Sequence, residues 1–153
     1  MISVEKLRRF PLFSGLDLQT LTALAMAGHD TTVEAGTWLF LEGEKADSFY
    51  LIMNGTIDLK MSVNSGRHEQ ADLVRLTEYE AFGWSALVQP HTYTLSALTD
   101  EDSHLLVIDS EKMLALMDQD SNVGYKLMTR MAETIRRRLT NMHTRFVSLT
   151  TVP

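Results

Sequence analysis

Side chains able to exchange protons, donate electron pairs or hold a phosphate are sparse in this chain of 153 residues. The five histidines, His29, His68, His91, His104 and His143, are scattered, and no two share the spacing of a metal-ligand pair on a strand or a helix turn. His29 reads as a helix-end residue, His68 as part of a turn and His143 as part of a long helix. The absence of cysteine removes disulfides, thiolate zinc sites and cysteine nucleophiles together. Glu78/Glu80 and Asp100/Glu101/Asp102 read as solvated loops, the common role of acidic clusters. Neither a Gly-x-Ser-x-Gly elbow nor a Walker-type phosphate loop occurs. The expectation is therefore no catalytic residue, no metal and no enzyme. The arginine run Arg136–Arg138 remains, and in an acidic chain it reads as a solvated helix face before it reads as a nucleic-acid contact.

The elements that must position these residues fall into three blocks. Residues 1–30 predict short helices: a first segment halted at Pro11, then a helix over 18–27 with Asp17 placed to accept from a first-turn amide. Residues 31–109 change to short β-branched and aromatic runs broken by Gly, Asn, Asp and Ser, predicting strands over 31–33, 38–41, 48–53, 56–61, 71–76, 93–98 and 104–108. Asn54-Gly55 between two such runs predicts a type I′ hairpin, with further turns at Gly36, Gly43 and Asn64-Ser65-Gly66. Residues 110–149 return to helix, the first capped by Ser110 and the second running from about Ser121 to about Val147. Met128, Met131, Ile135, Leu139, Met142 and Phe146 form one apolar stripe on it. At 1.5 Å per residue that helix reaches roughly 40 Å and outgrows a body of this size, so the stripe predicts a homodimer through the C-terminal helix. The whole is read as one domain, 1–153: mainly β, an antiparallel jelly-roll β-barrel with short N-terminal helices and a long C-terminal helix.

Charge sharpens the division. Residues 1–119 hold 8 basic and 18 acidic side chains, net −10, whereas residues 120–153 hold 6 basic and 2 acidic, net +4. No apolar run approaches the roughly 18 residues of a membrane span, and the charged start is unlike a signal peptide, so a cytoplasmic protein is expected. After Phe146 too few residues remain for a helix-turn-helix, so no DNA-binding domain is expected.

In order and spacing the chain resembles the cyclic-nucleotide-binding domain family, which includes the sensory domains of bacterial catabolite-activator-type regulators. The resemblance runs from Phe10-Pro11-Leu12-Phe13-Ser14-Gly15-Leu16 through Glu34-Ala35-Gly36-Thr37 and Glu42-Gly43-Glu44 to Tyr50-Leu51-Ile52-Met53-Asn54-Gly55. It closes with Leu105-Leu106-Val107-Ile108-Asp109 before the last helices. The family's phosphate-binding cassette resembles Gly-Glu-x-Phe-Gly-Glu-x-Ala-Leu followed after a loop by Arg-Thr-Ala or Arg-Ser-Ala. The resemblance implies a small cassette helix whose amides face a cyclic phosphate, an arginine that neutralises it and a glutamate that accepts from the ribose.

Here the cassette positions are Phe82, Gly83, Trp84, Ser85, Ala86 and Leu87, then Tyr93 and Thr94. Trp84 stands where the ribose glutamate would be and Tyr93 where the arginine would be, and no lysine or arginine lies between Arg75 and Lys112. The resemblance thus implies a stand-alone regulatory module with a degenerate cassette, its pocket partly filled by Trp84 and Tyr93. Such a module would bind cAMP or cGMP weakly or not at all, hold no cofactor, and act through dimerisation and contact with an unnamed protein partner. The alternative is a working sensor for a cyclic nucleotide or another planar ligand in a non-standard pocket, with a cation drawn from the long helix at Arg130.

Overall fold

The computed structural model describes residues 1–64 and 69–150; the expected turn at Asn64-Ser65-Gly66, His68 and the last three residues lie wholly or partly outside them. The N-terminal block is helix α1 (Val4–Leu7), a 3-10 turn (Pro11–Phe13) and helix α2 (Leu18–Met26). Pro11 opens the 3-10 turn, where its missing N–H costs nothing. Asp17 caps α2 as expected, accepting from the Thr20 N–H at 2.8 Å.

Eight strands follow: β1 (Gly28–Val33), β2 (Trp38–Phe40), β3 (Ser48–Asn54), β4 (Ile57–Asn64), β5 (Glu69–Leu76), β6 (Ala81–Phe82), β7 (Ser96–Thr99) and β8 (Ser103–Asp109). They form two four-stranded antiparallel sheets, ordered β1-β8-β3-β6 and β2-β7-β4-β5, the jelly roll expected from the sequence. His29 lies in β1 and not at a helix end, because β1 begins three residues earlier than its β-branched run suggests. Tyr93 lies outside the seventh strand, and the two-residue β6 had no readable run of its own.

The two central strands of the first sheet, β3 and β8, are buried on both faces. Phe49 and Leu51 of β3 pack with Leu106 and Ile108 of β8 against the helices, while Ile52 and Leu105 face the second sheet. Two buried faces explain why β3 and β8 read as unbroken apolar runs and not as alternation.

Asn54-Gly55 does not make a hairpin. β3 pairs with β8 and β6, whereas β4 pairs with β5 and β7, so the chain crosses from one sheet to the other at this point. Of the two residues only Gly55 has positive φ, +115°, and a Cβ there would lie 2.1 Å from the Ser103 hydroxyl. The glycine serves a close backbone approach at a corner, not a type I′ turn.

Two helices complete the chain, α3 (Ser110–Gln119) and α4 (Ser121–Thr150). Asp109, not Ser110, caps α3 by accepting from the Lys112 N–H at 2.9 Å; Ser110 is buried inside the first turn. α4 is 30 residues long, which spans about 45 Å. Its start is fixed by Val123, Leu127 and Met131, all buried against the helix-side core.

Candidate functional site

The cassette segment is assembled from backbone outward. β6 pairs Ala81 with Leu51 and Phe82 with Tyr50, and Phe82 is fully buried with its ring stacked on Tyr50 at 4.9 Å. Gly83 then takes φ +85°, which a side chain disfavours, and a Cβ there would sit 3.1 Å from the Ser48 carbonyl oxygen and from the Tyr50 ring, a tight fit that adds to the conformational strain. The expected small helix is a single 3-10 turn, Trp84–Leu87, held down by the buried Ala86 and Leu87. His91 closes the loop, its Nδ1–H donating to the Ala86 carbonyl at 3.0 Å. The chain then runs beside the β2–β3 connection, with Tyr93 N–H bonded to Glu44 O at 2.9 Å and Gly43 N–H to Tyr93 O at 2.8 Å.

Tyr93 points into the space between the sheets. Its ring lies parallel to Phe40 at 3.6 Å and 9°, and its hydroxyl donates to the Ser48 carbonyl at 2.7 Å while accepting from the Ser48 N–H at 3.3 Å. Burial pushes the phenol pKa of both Tyr93 and the adjacent Tyr50 up, so neither supplies charge. Trp84 turns the other way. Its indole packs on Phe49 at 4.8 Å against the helix-side core, and its Nε1–H is buried without an acceptor among the described residues. A cavity of about 120 Å³ remains between Gly83–Ser85 on one side and Phe40, Leu59 and Tyr93–Leu95 on the other. The two aromatic residues wall the pocket without closing it.

The long helix supplies a cation to this region, but not at the expected residue. Arg130 donates to the Leu12 carbonyl at 2.9 Å and so braces the N-terminal 3-10 turn, away from the cassette. Arg138, two helical turns further on, donates to the Ala81 carbonyl of β6. Its Nε–H lacks a partner among the described residues, and burial lowers its pKa, with the Glu80 carboxylate partly opposing that shift. Arg145 continues the row, donating to the Leu73 carbonyl of β5 at 2.9 Å. Of the triple-arginine run only Arg136 and Arg137 are the solvated face that the sequence suggested. Arg138 lies seven residues after Met131 on the same helix face, and only the burial of Met131 against the body shows that this face turns inward.

The apolar stripe divides in the same way. Met131 is 3% exposed and belongs to the chain's own core, whereas Ile135, Leu139 and Phe146 are 47%, 49% and 67% exposed. Met131 therefore leaves the set of residues free for a partner, and its place in the register passes to Ala132. The helix also does not run clear of the body, because Arg138 and Arg145 hold its second half to β6 and β5.

Elsewhere, Asp30 joins Lys6 and His104 in a small ion cluster, and Arg75 is bound to Asp58 at 2.8 and 3.0 Å. No three His, Asp or Glu side chains are grouped to hold a metal among the described residues, and none of the described helices is long and apolar enough to cross a membrane.

Comparison with known proteins places this geometry. The family model of the cyclic nucleotide-binding domain matches residues 30–120. A candidate cyclic nucleotide-binding protein from Geobacter metallireducens superposes with a TM-score of 0.80 at 26% identity, covering 91% of this chain and 99% of that one. A cyclic nucleotide-binding domain from Methylobacillus flagellatus shares the fold at TM-score 0.79 and 14% identity, covering 98% of this chain and 83% of that one. Among curated relatives, the CRP-like cAMP-activated global transcriptional regulator of Mycobacterium tuberculosis is 24% identical over 138 residues, 90% of this chain. The chain spans 61% of that relative's length.

Proposed function

Since the chain belongs to the cyclic nucleotide-binding domain family, a family of regulatory modules, we propose that it is a regulatory module whose cassette binds cAMP and cGMP weakly or not at all. In this reading it acts as a dimer, by contact with another protein. The observation that carries it is Tyr93. The side chain at the expected arginine position is neutral, buried and already committed at both ends, to Phe40 and to Ser48. No lysine or arginine lines the cavity beside it, and Arg138 is spent on the Ala81 carbonyl.

A charge-assisted hydrogen bond contributes about 1.5–3 kcal/mol. Its loss from a desolvated phosphate weakens binding by roughly 10- to 100-fold at 1.4 kcal/mol per decade. Trp84 removes the ribose carboxylate as well. Calorimetric titration with cAMP and cGMP tests the proposal: no heat at micromolar ligand is expected, and a micromolar or tighter Kd overturns it. Trp84→Glu with Tyr93→Arg should create or improve binding, and a folded double variant that gains none argues against the alignment.

Dimerisation is supported by the exposed face of α4. Tyr125, Met128, Ala132, Ile135, Leu139, Met142, Phe146 and Leu149 recur at alternating steps of three and four, a heptad pattern over more than three repeats. Leu127, Met131, Arg138 and Arg145 face the body and flank this seam; its first part, Tyr125 to Leu139, is exposed and can meet a second copy, while Met142, Phe146 and Leu149 line a cleft with Asp72 and Leu73 of β5.

A further inference from the structure

We propose that the cassette cavity is a site for a small neutral ring carrying one hydroxyl or carbonyl oxygen, not for an anion. The inference rests on the reading above, that cyclic nucleotides are poor ligands here.

Size sets the first limit. About 120 Å³ is close to the roughly 150 Å³ of an apolar cavity that takes up benzene. It is well below the roughly 300 Å³ at which pockets for larger organic ligands begin. A single ring fits and a nucleotide does not.

Charge sets the second limit. None of the residues around the cavity is an Asp, Glu, Lys, Arg or His, and the one phenol among them is engaged with both backbone groups of Ser48. An anion entering this space would lose its hydration and meet no counter-charge, whereas a neutral ring meets apolar walls. Those walls are preformed. Phe40 and Tyr93 are stacked in parallel at 3.6 Å on one side, and on the other the Gly83–Ser85 segment is anchored by the Trp84 indole packed on Phe49. A ligand therefore orders little on entry, which favours binding.

Two hydroxyls supply the polar part of the recognition. Ser85 and Thr94 line the cavity and make no hydrogen bond among the described residues. Thr94 is exposed and Ser85 half-buried, so both stand toward the mouth. One oxygen on the ring can bridge to them while the ring lies against Phe40, Tyr93, Leu59 and Leu95. The Trp84 indole N–H takes no part, because it is buried on the helix side.

The test uses the full chain with Trp38→Phe, which leaves Trp84 as the one indole, and follows its N–H resonance by two-dimensional NMR during separate titrations with phenol, benzoate and cAMP. Phenol is expected to move the Trp84 signal saturably, at least tenfold more tightly than benzoate. Leu59→Phe, which fills the cavity, should abolish the shift; Leu95→Phe replaces it should that variant not fold. Thr94→Val keeps the volume and should weaken phenol several-fold. No phenol shift at millimolar concentration, or benzoate binding as well as phenol, overturns the proposal while leaving the cyclic-nucleotide reading intact if cAMP is also silent. cAMP that binds at micromolar concentration and displaces phenol overturns that reading and this one together.

Discussion

Tyr93 is the residue at which architecture and function meet, because one hydroxyl satisfies both backbone groups of Ser48 while the ring completes the stack on Phe40. Tyr93→Phe keeps the stack and leaves a carbonyl and an amide short of a partner. The expected loss is about 1–2 kcal/mol, read from urea denaturation midpoints at constant slope. Asp30 gives the pH dependence. Burial raises its pKa, but hydrogen bonds and charge from Lys6 and His104 outweigh that and leave it below the ordinary carboxylate value. A depressed pKa means stability that is present above the unfolded value near 3.8 and lost as pH falls through the folded one. Asp30→Asn should therefore cost about 1 kcal/mol at neutral pH, and the difference from the parent should shrink as the pH falls below the unfolded value, measured as denaturation midpoints across pH. At this scale the sequence was legible wherever a residue's identity answers to its own backbone. Gly83, whose positive φ and close Ser48 oxygen favour glycine, was legible through the family's cassette pattern, as were the buried Phe82, Ala86 and Leu87. Arg138 could not be read as a cassette neighbour from local pattern, because its role depends on which face of α4 the body selects.

The elements show why local signals succeed at ends and fail at crossings. Asp17 caps α2 through a contact three residues away, which sequence spacing encodes. Gly55 depends on Ser103, 48 positions on, and its Asn-Gly dipeptide reads as a hairpin only while that contact is unknown. Gly55→Ala forces a Cβ into the Ser103 hydroxyl at an unfavourable φ, so a loss of about 2–4 kcal/mol is expected in denaturant melts. α4 resolves a problem that the two sheets create. β6 and β5 are the edge strands of the first and second sheet, each with backbone groups unpaired on its outer side, and Arg138 and Arg145 donate to one carbonyl on each. The helix is thus a strap across both sheet edges. Arg138→Ala with Arg145→Ala should free the second half of α4 from the roll. Hydrogen exchange would then rise in α4 after Met131 and in β5 and β6, with α3 unchanged; equal protection in both proteins would refute the strap.

The molecule as a whole couples an acidic body to a basic helix, and in the dimer proposed above this asymmetry bears on how a second copy would be met. Three of the six basic residues after position 119, Arg130, Arg138 and Arg145, are turned to the chain's own carbonyls. Exposed Arg136 and His143 are left to flank the heptad face, and Glu133 is the one carboxylate between residues 121 and 150. Two such faces brought together by a two-fold axis gain from burying Ile135, Leu139 and Phe146 but set cationic side chains near one another. The attraction is apolar and the repulsion electrostatic, which makes the signs of two effects predictable. Leu139→Asp places a charge in the middle of the seam and should give a monomer by sedimentation velocity with unchanged circular dichroism, since Leu139 is half-exposed in the single chain. Raising salt shortens the screening length from about 10 Å at 0.1 M to about 3 Å at 1 M and should tighten the parent dimer. A dimer that instead loosens with salt would have the basic helix seated on the partner's acidic body, and Leu139 would then tolerate aspartate.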